Sequence, residues 1–189
     1  MHYLHKNNIL AGTHCSSIFS GIPEMTDVIF EKLKNLSISY ITYSHPPVFT
    51  IEQAQAVASE IPGALCKNLF LKDSKGKFYL VVADHATQIS LKKLSKHIHA
   101  PELRFASPTD LKFYLNVDPG SVTPFGLIHA QARIIHVMFD QNLYNHTHAG
   151  FHPLINSATT VITVKDLEKF ITACGNHFSV INFTGLNAL

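Results

Sequence analysis

Cysteine, charge and long apolar runs are all scarce in this sequence, and each scarcity narrows the possibilities. The three cysteines, Cys15, Cys66 and Cys174, are widely spaced and odd in number, with no CxxC pair and no secretory signal at the N-terminus. A disulfide scaffold is thereby excluded, and a reducing, cytoplasmic setting is expected. No apolar run approaches the roughly 18 to 20 residues that span a bilayer, so no membrane role is expected. Charged residues make up 15% of the chain and the formal charge is +2 at pH 7, too little for a strongly basic nucleic-acid binder. Any RNA contact should be local, although thirteen histidines would add positive charge below neutral pH. A GxSxG elbow is also missing, and with it an obvious nucleophile.

What remains is 46% hydrophobic over 189 residues, enough for one sizeable core and one domain. Residues 1 to 22 show no clear period and read as an irregular lead-in. From Pro23, Met25, Val28, Ile29, Leu33 and Leu36 recur at helical spacing, with acids first and lysines last as the macrodipole prefers. Ser37 to Tyr43 reads as a short strand, His45-Pro46-Pro47 as an extended turn, and Thr50 with Gln53 as a capping box for a helix to about Ala58. Cys66 to Asp73 and Phe78 to Ala83 form two strands about the turn Asp73 to Lys77, at the sheet's centre. Ser90 caps a helix carrying Leu91, Leu94 and Ile98 on one face. Leu103 to Ala106 is a short strand, and Ser107-Pro108 with Asp110 opens another helix. A loop over Asp118 to Phe125 precedes strands Arg133 to Phe139 and Thr159 to Val164. A helix from Asp166 to Ala173, ended by Gly175, and a strand Phe178 to Phe183 complete the chain. The fold class is mixed α/β with an antiparallel component.

Candidate chemistry concentrates in three stretches. Strand alternation puts Lys67 on one face with Leu69 and Leu71, and Asn68 with Phe70 and Lys72 on the other. An ammonium on an apolar face is paired, snorkels to water, or lines a cleft. Gly120 to Phe125 (GSVTPF) combines a permissive glycine with a rigid proline, so its N–H groups can converge as an oxyanion or ester cradle, or it is an ordinary tight turn. His146, His148 and His152 could supply nitrogen ligands to zinc, yet the segment reads as a loop and has no carboxylate or cysteine close in sequence. Cys66 lies on the strand face opposite Lys67 and reads as buried packing. Lys92, Lys93, Lys96, His97 and His99 form a small basic patch on a solvated helix face that could touch phosphates.

Six stretches occur in a telling order: His45-Pro-Pro-Val-Phe-Thr50, Cys66-Lys-Asn-Leu-Phe-Leu-Lys-Asp73, Leu80-Val-Val-Ala-Asp84, Leu103-Arg-Phe-Ala-Ser-Pro108, Gly120-Ser-Val-Thr-Pro-Phe-Gly126 and Gly150-Phe-His-Pro153. Together they resemble the YbaK/prolyl-tRNA synthetase-associated domain family, in its freestanding prolyl-tRNA editing branch, from about Pro23 to Phe183. The resemblance implies a single-domain YbaK-like fold over residues 23 to 189, with a central mixed, largely antiparallel sheet and surrounding helices. It implies hydrolysis of mischarged Ala-tRNA(Pro), in trans because the chain starts at Met1 and holds no synthetase core. Lys67, Asn68 and His152 fall on the family's catalytic positions. Its GxxxP loop falls on Gly120, Ser121, Val122, Thr123 and Pro124, and substrate contacts are further expected from His45, Asn156 and Ser157. Relatives commonly read Asn-Thr-Ala-Thr after the histidine, so Ser157 departs while keeping a hydroxyl. His146 and His148 lie outside the pattern, and neither metal nor cofactor is implied.

That chemistry needs no enzyme nucleophile. An aminoacyl ester is already activated and the neighbouring 2′-hydroxyl of the terminal ribose can position water, which leaves the enzyme positioning and charge stabilisation. A synthetase pocket for proline cannot exclude alanine by sterics, because a missing methylene is worth only ~1 to 3 kcal/mol. A second, smaller sieve that excludes proline would clear the error. The implied partners are the CCA end of a mischarged tRNA and prolyl-tRNA synthetase. Alternative readings are a deacylase for Cys-tRNA(Pro) or a broader set of mischarged tRNAs, and a noncatalytic tRNA- or synthetase-binding module.

Overall fold

A computed structural model describes residues 10–11, 24–48, 53, 56–57 and 59–188. Its strands, in chain order, are β1 (Leu10–Ala11), β2 (Ile41–Ser44), β3 (Ala64–Lys72), β4 (Phe78–Asp84), β5 (Arg104–Phe105), β6 (His136–Asp140), β7 (His148–Phe151), β8 (Ala158–Thr163) and β9 (Phe178–Ile181). The helices are α1 (Glu24–Asn35), α2 (Leu91–His97), α3 (Pro108–Leu115), α4 (Val164–Ala173) and α5 (Phe183–Ala188). The strands form one sheet in the order β1-β2-β8-β7-β3-β4-β6-β9, with β5 on β3. Five of the pairings are antiparallel and three parallel, the mixed, largely antiparallel sheet expected.

Local chemistry accounts for most of these elements. Ser90 and Ser107 cap α2 and α3 through their hydroxyls, and Ser107 shares a complete capping box with Asp110 behind Pro108 at the first turn. The β3–β4 turn is held by Asp73, whose Oδ1 accepts the N–H groups of Lys75 and Lys77, each at 2.9 Å. One core lies between the sheet and helices α1, α3 and α4, where Phe125 meets the rings of Phe151 and Phe170 edge-on. A second, with Leu71, Val81, Leu94 and Phe183, lies on the other face.

β3 joins the two halves of the sheet. Along one edge it pairs with β4 from Cys66 to Lys72; along the other it pairs with β7 only at Ala64 and Leu65, and with β5 only at Leu71 and Lys72. The edge between is bridged by a hydrogen bond from Ala106 N–H to the Phe70 carbonyl and one from the Asn68 side chain to the Val122 carbonyl. A split therefore opens in the sheet beside Cys66 and Asn68.

Several elements differ from the sequence reading. β7 crosses the stretch read as a loop, because it is stabilised from both sides by β3 and β8 rather than by its own residues. Strand β2 starts only at Ile41, since Ser37 adopts a positive φ and its N–H closes α1 on Lys34. Ala130–Ile134 is a 3-10 helix, so Arg133 precedes β6 rather than opening it. The last strand stops at Ile181, and Asn182 starts α5 by accepting the Gly185 N–H. Within the expected lead-in, Leu10 and Ala11 pair with β2. Gln53 and Val57 are helical as expected, whereas Thr50 and Ala58 lie outside the described residues.

Gly63 delivers the chain to β3 at φ +106°, and a Cβ there would lie 2.9 Å from the His148 carbonyl oxygen of β7. Backbone atoms cannot yield cheaply. Gly63→Ala is expected to cost more than ~1 kcal/mol of stability, read as a lowered denaturant midpoint with an unchanged m-value.

Candidate active site

The split beside β3 opens into a cavity of about 70 Å³. Val48, Val57, Ile61, Leu65 and Phe151 supply apolar wall, and His45, Cys66, Asn68, His152 and Thr159 supply the polar atoms. Two histidines far apart in sequence meet here, with ring centroids 6.0 Å apart. His45 sits on the turn after β2, whose backbone is clamped to the segment before β8: His45 N–H donates to the Ser157 carbonyl and Val48 N–H to the Asn156 carbonyl. Asn156 Nδ2 adds a contact to the Val48 carbonyl. Asn156 and Ser157 thus set the position of His45.

Both imidazoles have their tautomer fixed by a carbonyl, which can only accept. His152 Nδ1 donates to the Ala158 carbonyl at 2.9 Å, and His45 Nδ1 to the Pro46 carbonyl at 2.9 Å. In the neutral rings each Nε2 therefore carries a lone pair. His45 Nε2 lies 3.0 Å from Thr159 Oγ1 and accepts that hydroxyl's hydrogen bond, while for His152 only the Nδ1 bond is formed among the described residues. Burial holds the pKa of both rings below the ordinary 6.5, and the proximity of His152 depresses His45 further. The carbonyl partners oppose the shift without reversing it. Both rings are neutral at pH 7.

Asn68 Nδ2 donates to the Val122 carbonyl at 3.1 Å, tying the Gly120–Pro124 loop to the cavity wall. The orientation leaves Asn68 Oδ1 buried without a hydrogen-bond partner. Ser121 N–H is spent on the Asp118 carbonyl, and Thr123 accepts the Phe125 N–H as the first 3-10 turn begins at Pro124. Gly120, Ser121, Thr123 and Pro124 lie behind that contact rather than in the cavity wall. Lys67 is on the other strand face, the one it shares with Leu65, which lines the cavity. Its ammonium donates to the His85 carbonyl at 2.9 Å, at the end of β4, with further N–H donors to spare.

Residues 45–170 match the family model for the aminoacyl-tRNA editing domain, two thirds of the sequence. The chain belongs to the aminoacyl-tRNA editing family. Members resembling it include the prolyl-tRNA editing protein ProX of Acetoanaerobium sticklandii, 42% identical over 81% of this chain and 94% of that one. The prolyl-tRNA synthetase associated domain-containing protein 1 of Danio rerio is 40% identical over 75% of this chain and 78% of its own. The fold is shared with a crystal structure described as a trans-editing candidate for prolyl tRNA synthetase, at TM-score 0.62 and 16% identity over 86% of this chain and 99% of that one. With the family comes the enzyme class, an aminoacyl-tRNA deacylase.

In this editing domain the histidine cluster of the sequence is dispersed. His146 pairs with Asp84, Nε2 to Oδ2 at 2.7 Å, a carboxylate that only the fold brings close; His148 is on β7, and His152 is committed to Ala158. Among the described residues no group of three or more His, Cys, Asp or Glu is arranged to hold a metal ion. No described helix is long and apolar enough to cross a membrane. Sequence reasoning missed Thr159, Leu65 and Ile61, which line the cavity; the alternation of Thr159 with Val161 on β8 was the available signal. Cys66 packs against the main core, and burial pushes its thiol pKa up strongly, with Asp84 and Asp140 adding to the shift. Iodoacetamide at pH 8 should leave Cys66 unmodified in the folded protein and label it on unfolding, as read by peptide mass mapping.

Proposed function

We propose that this chain is a cytoplasmic trans-editing deacylase that hydrolyses Ala-tRNA(Pro). The size of the cavity carries the reading. At about 70 Å³ it is roughly half the ~150 Å³ that accommodates benzene in an engineered apolar cavity. A methyl side chain fits such a space and a pyrrolidine ring does not. The synthetase cannot reject alanine for being small, and this pocket rejects proline for being large. The relative from Acetoanaerobium sticklandii, a prolyl-tRNA editing protein, supports the same tRNA.

In this mechanism the aminoacyl side chain enters the apolar end, and the ester carbonyl turns toward the loop tied down by Asn68. Negative charge that builds on the carbonyl oxygen as water adds then faces this loop, which Asn68 holds in place through the Val122 carbonyl. His152, neutral with a lone pair on Nε2, orients that water and accepts its proton; the 2′-hydroxyl of the terminal ribose assists, and the 3′-oxygen leaves with a proton. Lys67 acts by charge at the cavity's rim, anchoring the ribose-phosphate end of the CCA terminus. Imine chemistry has no part, because the reaction is hydrolysis of an ester.

Incubation with alanyl-, cysteinyl- and prolyl-tRNA(Pro) tests the specificity. Alanine should be released and proline retained; preferential release of cysteine would overturn the alanine assignment, and tRNA binding with no hydrolysis of any ester would leave only a binding module. Lys67→Ala should lower kcat/KM by at least ~100-fold with the far-UV circular dichroism unchanged; a near-normal rate removes Lys67 from the site. The pH dependence has a definite sign. Because burial lowers the His152 pKa, the active neutral form persists below the ordinary imidazole range. Turnover should be flat through neutral pH and fall only below 6.5, and a limb centred above 6.5 would exclude His152 as the base. Exhaustive chelation should leave the rate unchanged.

A further inference from the structure

Thr159 is one of the polar groups of the cavity that the mechanism above leaves without a role, and its geometry restricts what it can do. Its methyl lies over Gly150 of β7, where a Cβ would stand 2.8 Å from Thr159 Cγ2, so only a glycine leaves room for this rotamer. Its hydroxyl is thereby turned to His45 Nε2, 3.0 Å away. His45 Nδ1–H is already given to the Pro46 carbonyl, so Nε2 can only accept, and the Thr159 proton goes there. What Thr159 Oγ1 offers the cavity is lone pairs alone. Among the described residues, no acidic side chain lines the cavity with it.

An acceptor-only hydroxyl at the wall of an apolar pocket calls for a donor on the ligand. An aminoacyl ester brings two kinds, the α-ammonium and the ribose hydroxyls. Charge-assisted hydrogen bonds are roughly twice as strong as neutral ones, and the α-carbon must lie beside the side chain that fills the pocket. We propose that Thr159 Oγ1, held as an acceptor by His45, binds the α-ammonium of the aminoacyl group, making Thr159 a specificity-determining residue and a free α-amine a requirement of the substrate. This rests on the deacylase reading and deepens it: the pocket measures the side chain, and Thr159 measures the amine.

The test compares alanyl-tRNA(Pro) with the lactyl-tRNA(Pro) made from it by nitrous acid, which replaces the ammonium by a hydroxyl of nearly the same size. Each enzymatic rate is divided by the spontaneous hydrolysis rate of the same ester, because the ammonium also activates the carbonyl. The wild-type protein should favour the alanyl ester at least tenfold in corrected kcat/KM. Thr159→Val keeps the methyl that packs on Gly150 and replaces the hydroxyl by a second methyl; it should slow the alanyl ester by about tenfold, chiefly through KM, and leave the lactyl ester unchanged. Thr159→Ser should restore the alanyl preference. Equal corrected rates for the two esters in the wild type, or a Thr159→Val variant that slows both alike, would overturn the assignment, the second outcome pointing to a ribose hydroxyl as the donor. Hydrolysis of neither ester would overturn the deacylase reading and this inference with it.

Discussion

Incomplete pairing along one edge of β3 is the constraint on which the site depends. Its β4 edge is fully paired over seven residues from Cys66 to Lys72, which fixes the strand in the core of the sheet. On the other edge β7 departs after Leu65 and β5 arrives only at Leu71. Buried backbone groups left between the two need partners: the Phe70 carbonyl accepts the Ala106 N–H, while the Asn68 side chain spans the gap to the Val122 carbonyl of the neighbouring loop. The same gap that needs these bridges is the opening of the cavity. Gly63 makes the parting possible, since the backbone of β7 passes too close for any side chain at that position.

Burial then sets the electrostatics. The cavity is apolar enough to keep two imidazoles neutral and Cys66 a thiol, so the polar atoms it presents are chiefly lone pairs rather than charges. In the proposed mechanism such a cavity positions water against an ester that needs little activation, and it gains from excluding bulk solvent. It also explains how a site without a triad can belong to an editing enzyme: the orienting role of a triad's acid is taken by carbonyls, Ala158 for His152 and Pro46 for His45.

What was legible in the sequence was local. Ser90, Ser107 with Asp110, and the Asp73 turn announce themselves by short-range hydrogen bonding, and strand alternation put Leu71 and Phe70 on opposite faces, which pack into two cores where one was expected. What was illegible depended on neighbours. β7 contains histidine and glycine, poor strand formers whose conformation is imposed by β3 and β8. The Asp84–His146 pair and the Thr159–His45 contact join residues that no spacing rule connects. The ordered motifs named the family, but they could not show that the GxxxP loop acts through Asn68 rather than by lining the pocket.

Lys67 and Asn68 pose the sharpest problem, because adjacent strand residues point to opposite faces and cannot both enter one pocket by ordinary alternation. The split resolves it. Asn68 reaches through the gap to the loop on one side, while Lys67 stays on the face of Leu65, whose side chain is part of the cavity wall. Lys67 is not among the residues that line the cavity, and its ammonium is tethered to the His85 carbonyl. An ammonium inside would have to be desolvated against an apolar wall, and it would compete with the substrate's own ammonium for the few acceptors there. Outside, it keeps donors free for the rim role proposed above. The adjacent pair thus serves opposite strand faces, Asn68 tied to the loop beside the cavity and Lys67 to the end of β4, and the unpaired edge of β3 permits that division.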